Sequence, residues 1–308
     1  MALFVFLSPL GANAQDAIFS QFYAASLYLN PAFAGTSQGT RLVLNYRNHP
    51  FPDTDGLSTL YASVDTYVPR LYGGLAVVAA SDNQGGLLTR SQISGVYAYH
   101  LRVSNDLFVN FGAQVGYYRQ DINWNRLEFA NPDQPPPDNT MNQTANFAAG
   151  MMVFNDWIYG GIGVHHLTQP RESFFGGNKL QLKYTAHLGM LLEPPSVRRA
   201  NTVPFEYFVS PNIIFQQQGV FRRINLGLYG GIEPIMGGVW YRHNIEEQNA
   251  LVFLIGFSFG NYRIGYSYDH SFSGYSDALH AAHEISISFE FLSGRQKHRQ
   301  NLIHCIPF

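Results

Sequence analysis

Three patterns in the chain could do chemistry. Gly256-Phe257-Ser258-Phe259-Gly260 spells G-x-S-x-G, the sequence of a nucleophile elbow. That motif needs a strand, a strained turn and then a helix to raise the serine hydroxyl. Here it closes one alternating segment and another follows, so Gly and Ser alternate with Phe because two faces of a strand alternate. The eleven histidines are the second pattern, with His165/His166 and His280/His283 as the nearest pairs. Adjacent residues on a strand face opposite sides, and no Cys or carboxylate stands at zinc-like spacing. These histidines read as loop or lumen residues, with no metal and no cofactor expected. The third is Cys305, the single cysteine, which has no partner for an intramolecular disulfide and no activating neighbours. It reads as a small inert hydrophobe. A hydrolase would need Ser, His and an orienting group gathered at one rim, which is a distant alternative. The expectation is a protein that is not an enzyme.

The elements that would position any such residues are strands. Aromatic residues are 15% of the 308, charged residues only 13%, and there are 29 glycines. Ordinary soluble domains carry roughly 25% charged residues. No run of 18 apolar residues marks a spanning helix, and the mean hydropathy of -0.10 fits apolar residues diluted by alternation. The net charge of -2, without blocks of like charge, gives no nucleic-acid footprint.

Period-2 alternation runs from about residue 40 to 292. Ile285, Ile287, Phe289 and Phe291 share one face, with Glu284, Ser286, Ser288 and Glu290 on the other. Tyr262, Ile264, Tyr266 and Tyr268 alternate with Arg263, Gly265, Ser267 and Asp269 in the same way, as do Tyr184, Ala186 and Leu188 with Lys183, Thr185 and His187. Lys183 and Arg263 would be costly in a dry sandwich core but acceptable in a wet barrel lumen. The pattern predicts an all-β fold, a transmembrane antiparallel β-barrel of the outer membrane with about 14 strands. Its apolar face meets outer-membrane lipid and its polar face meets a lumen that tolerates Arg at Ser267 or Ser288.

Alternate connections are tight, at Pro69-Arg70, Asn155-Asp156, Glu233-Pro234 and Gly260-Asn261, as periplasmic turns are. Those at 48–56, 121–143, 167–178 and 271–283 are longer, as extracellular loops are. The connection 193–204 is long on the short side and 217–220 short on the long side, which leaves the count open by one hairpin. The Pro-rich 132–138 is read as exposed loop.

Four segments follow. Residues 1–14 have an apolar core and the small-x-small site Ala12-Asn13-Ala14, an export signal with cleavage after Ala14. Residues 15–39 form an N-terminal segment expected in the periplasm or the lumen, 40–292 the barrel, and 293–308 a periplasmic tail. The aromatic stretch Phe19 to Gly35 does not alternate. It is read as a docking patch before the first strand or as a piece packed on the chain's own barrel. Candidate partner-binding residues are Phe19, Phe22, Tyr23, Asn30, Pro31 and Phe33, with Arg295, Lys297, Arg299 and Phe308 of the tail.

Residues 15–23, QDAIFSQFY, running into Asn30-Pro31-Ala32-Phe33-Ala34-Gly35, resemble the opening of the PorP/SprF membrane proteins of the type IX secretion system. So do Tyr46-Arg47-Asn48, Tyr97-Ala98-Tyr99-His100-Leu101, Tyr159-Gly160-Gly161, His166-Leu167-Thr168, Tyr184-Thr185-Ala186-His187, Ser210-Pro211-Asn212 and Tyr266-Ser267-Tyr268-Asp269. The tail His304-Cys305-Ile306-Pro307-Phe308 departs from the family's Cys-Pro pattern by Ile306, and Tyr46-Arg47-Asn48-His49-Pro50 departs where the family commonly has Trp. The resemblance implies an outer-membrane component that secretes or anchors cargo proteins such as gliding adhesins, with periplasmic secretion-system proteins as partners. A general diffusion channel is the alternative.

Overall fold

The computed structural model describes residues 16–37, 39–51, 55–126, 141–170, 179–192, 207–232, 234–245, 249–272 and 281–291. Fourteen strands are seen among them: β1 (Thr40–His49), β2 (Leu57–Val68), β3 (Gly73–Gln84), β4 (Leu88–Arg102), β5 (Phe108–Ile122), β6 (Met141–Phe154), β7 (Ile158–His165), β8 (Lys183–Met190), β9 (Phe208–Gln218), β10 (Phe221–Ile232), β11 (Ile235–Asn244), β12 (Ala250–Phe259), β13 (Tyr262–Ser271) and β14 (Ala281–Phe291). Each pairs antiparallel with its chain neighbours, and β14 pairs with β1 from Thr40↔Phe291 to Asn48↔His283, closing a barrel without an edge. No described helix is long and apolar enough to cross a membrane.

The cylinder has a turn end and a loop end. At the turn end lie the start of β1, the end of β14 and the connections β2–β3, β4–β5, β6–β7, β8–β9, β10–β11 and β12–β13. At the loop end lie the other connections. The short one at 217–220 is a real hairpin, with Gly219 at φ 58° reversing β9 into β10.

Side chains sort as the period requires. On β14, Ile285 and Ile287 are 49% and 46% exposed, while Glu284 and Ser286 are buried. In a barrel that exposed apolar row is the lipid face. Gly256 to Phe259 lie in β12, and β13 follows the tight turn at Gly260, so the G-x-S-x-G spacing has no helix behind it.

One expectation is corrected by the lumen, which is not a wet channel. Residues 16–37 fill it, and Lys183 is 5% exposed while Ser267 is not exposed at all. Ser267 lies 3.4 Å from the Gln21 amide, so an Arg there would collide with the segment rather than be tolerated.

Candidate functional site: an occupied lumen

The N-terminal segment forms one helical turn, α1 (Ser26–Leu29), and a 3-10 turn at Pro31–Phe33. Asn30 builds the second: its side chain accepts from the Ala32 N–H at 2.9 Å, and Pro31 has no N–H to leave unmet. The Asn30 amide nitrogen lies 3.1 Å from the carbonyls of Met151 and Ile162, on β6 and β7, and 3.2 Å from His187 Nε2.

This turn approaches the wall closely because the wall is glycine there. A Cβ added to Gly150 would sit 2.0 Å from Asn30 Oδ1, one on Gly112 2.3 Å from the Ala32 nitrogen, and one on Gly74 2.0 Å from the Ala34 carbonyl. Inward side chains take up the segment's carbonyls. Thr185 Oγ1 donates to Leu29 O at 2.8 Å, Asn110 to Ala32 O at 3.2 Å, and His100 Nε2 to Ala34 O at 2.8 Å. Near the turn end, Gly35 N donates to Asp65, which also holds Arg41 at 2.9 Å.

Two polar clusters fix the other half near the loop end. Glu284 accepts from the backbone N–H groups of Ser20 and Gln21 at 2.7 and 3.1 Å, from Asn45 at 2.7 Å and from Arg47 at 3.2 Å. Asp269 accepts from Arg47 at 2.7 Å, Arg242 at 3.0 Å and the Ser20 hydroxyl at 2.7 Å. Two guanidinium groups thus face two carboxylates around Ser20. Removing one member of such a buried set strands its partners, at a cost of roughly 3–5 kcal/mol.

In the second cluster the Asp16 carboxylate meets His166 at 2.8 Å and Lys183 at 3.1 Å, and its backbone N–H donates to Gln218 at 2.9 Å. Burial alone would raise the Asp16 pKa, but His166 and Lys183 hold it well below the usual carboxylate range. The Lys183 ammonium also lies 4.1 Å from the Tyr28 ring centre.

The candidate residues divide accordingly. Phe19, Phe22, Asn30 and Phe33 are at most 6% exposed and Pro31 is buried, all in the lumen. Tyr23 is partly buried and meets Tyr229 edge-on at 4.5 Å, and Phe22 meets Trp240 at 4.9 Å. These rings pack on the chain's own barrel. Arg295, Lys297, Arg299 and Phe308 lie outside the described residues, as do Cys305 and His280. Among the described residues no three His, Cys, Asp or Glu are grouped to hold a metal. His165 and His187 are lumen residues and face the segment, at Leu29 O and the Asn30 amide. Glu284, Asp269, Arg47, Arg242 and Asp16 were not singled out, and an inward glycine on each of β3, β5 and β6 was the available signal for a close backbone approach.

A closed antiparallel cylinder with an apolar outer belt and its own N-terminal segment inside is an outer-membrane β-barrel of the plugged kind. Among solved structures the fold is similar to the CymD monoaromatic hydrocarbon channel (TM-score 0.51, 10% identity, covering 88% of this chain and 93% of that one). It is also similar to a deletion mutant of the TodX monoaromatic hydrocarbon channel (TM-score 0.50, 9% identity, 87% and 94%). Omp33 of Acinetobacter baumannii matches at a TM-score of 0.45 with 7% identity, covering 82% of this chain and 96% of that one. At such identities the likeness concerns the fold alone. No curated protein matches the chain. The family model described as type IX secretion system membrane protein PorP/SprF matches residues 11–289, and the chain belongs to that family.

Proposed function

We propose that this barrel is a non-enzymatic component of the type IX secretion system that supports the secretion or surface anchoring of cargo proteins, gliding adhesins among them, and does not act as a general diffusion channel. The observation that carries the reading is the filled lumen. The family membership supplies the system, and a channel for solutes would need the space that residues 16–36 occupy. The export signal with cleavage after Ala14 belongs to the same reading. So does the tail, whose Arg295, Lys297 and Arg299 suit an acidic periplasmic partner.

The test has two parts. In planar bilayers the intact protein should carry almost no steady current, while deletion of residues 16–36 should open steps of porin-like size. Affinity purification from detergent-solubilised membranes should bring down secretion-system proteins and a secreted cargo. Steady conduction by the intact protein, with no such companions, would favour the diffusion channel instead.

A further inference from the structure

The order of contacts along the N-terminal segment fixes its path. Ala34 and Gly35 lie against Gly74 near the start of β3, His100 near the end of β4 and Asp65 near the end of β2, all toward the turn end. Asn30 lies against β6 and β7 within their length. Ser20 and Gln21 lie against Glu284, Asp269, Arg47 and Arg242, each within a few residues of its strand's loop end. Asp16 touches Gln218, the last residue of β9, Lys183, the first of β8, and His166, just past β7. Those three are at the loop end.

We infer that residues 16–36 thread the whole lumen, so that Asp16 sits at the loop end, on the outer face of the membrane, and anything joined to it would leave the barrel there. The chain leading into the barrel and the end of β14 then open on opposite sides, although an even strand count would place both together. Beside Asp16 lies a shallow crevice lined by Lys183, Gln218 and Arg223 among others. This makes the loop-end mouth the place where a tag joined ahead of Asp16 would be exposed outside the cell. The inference rests on the proposed outer-membrane reading, with loops outward.

Single-cysteine variants test it after Cys305→Ser removes the native thiol. Lys179→Cys marks the loop end and Asn105→Cys the turn end, and a membrane-impermeant maleimide applied to intact cells reports which end faces out. Ala17→Cys should label like Lys179→Cys, and Ser37→Cys like Asn105→Cys. An epitope inserted between Gln15 and Asp16 should be read by antibody on intact cells, with heat-modifiable mobility confirming a folded barrel, and it decides the matter should Ala17→Cys resist the reagent. Labelling of the epitope or of Ala17→Cys only together with Asn105→Cys overturns the threading. If instead Asn105→Cys labels in intact cells and Lys179→Cys does not, the orientation of the barrel fails while the threading is still read from which control Ala17→Cys follows.

Discussion

Replacing Asn30 by Ala should loosen the N-terminal segment without unfolding the barrel. The side chain is fully buried and accepts one backbone bond from Ala32. Its amide nitrogen has three acceptors within 3.2 Å, of which its two hydrogens can satisfy two at a time. Three hydrogen bonds at roughly 0.5–1.5 kcal/mol each, net of the water they replace, give about 3 kcal/mol for the docked segment. Since every 1.4 kcal/mol is tenfold, the undocked fraction should rise about a hundredfold. The assay is single-channel recording in planar bilayers, where the wild type should be nearly silent and Asn30→Ala should show frequent openings. Asn30→Asp keeps the cap acceptor but turns a carboxylate toward two carbonyls, so it should open at least as often. Wild-type silence from both variants, with the barrel folded by gel mobility, would refute the assignment of Asn30 as the segment's anchor.

Gly150→Val should expel the segment, since its first side-chain atom would overlap Asn30 Oδ1, whereas Gly95→Ala, with open space around the added atom, should be neutral; protease sensitivity of residues 16–36 distinguishes them. Ile287→Arg, on the exposed apolar row, should lose about 2–4 kcal/mol in urea unfolding from lipid vesicles if it sits at the bilayer midplane, and an unchanged midpoint would place that face elsewhere. Asp16 has a depressed pKa in the folded state, so its contribution to segment docking is present in full above the unfolded value of about 3.9 and is lost as pH falls through the lower folded value. Bilayer currents should therefore begin only in strong acid for the wild type, while Asp16→Asn conducts already at neutral pH; equal currents from both at pH 7 would remove Asp16 from the latch.

The strands were legible because lipid and lumen impose opposite demands on alternate residues. Tyr266 and Ile285 against Ser267 and Glu284 could be read without coordinates. What fills the lumen was not legible, since inward Ser, Thr, Asn and Lys suit water as well as a backbone that needs partners. Lys183 reads as a wet-lumen residue, yet it is buried between Asp16 and Tyr28. The same blindness covers the aromatic segment, whose Phe19, Phe22 and Phe33 mark an apolar surface without saying whose surface covers it. Cluster membership was hidden by distance along the chain: Ser20 and Glu284 are separated by 264 residues.

That separation bears on assembly. A segment lying inside a cylinder cannot be inserted sideways once β1 and β14 have joined, so it must either be in place when the seam forms or enter along the barrel axis. Glu284 holds Ser20 and Gln21 and also sits in the strand that closes the seam, opposite Arg47 of β1. Its carboxylate is therefore available to the segment only when the last strand arrives. A chain that reaches the membrane with its first residues misplaced would leave Glu284 at the seam without the backbone donors of Ser20 and Gln21, and Asp269 without the Ser20 hydroxyl.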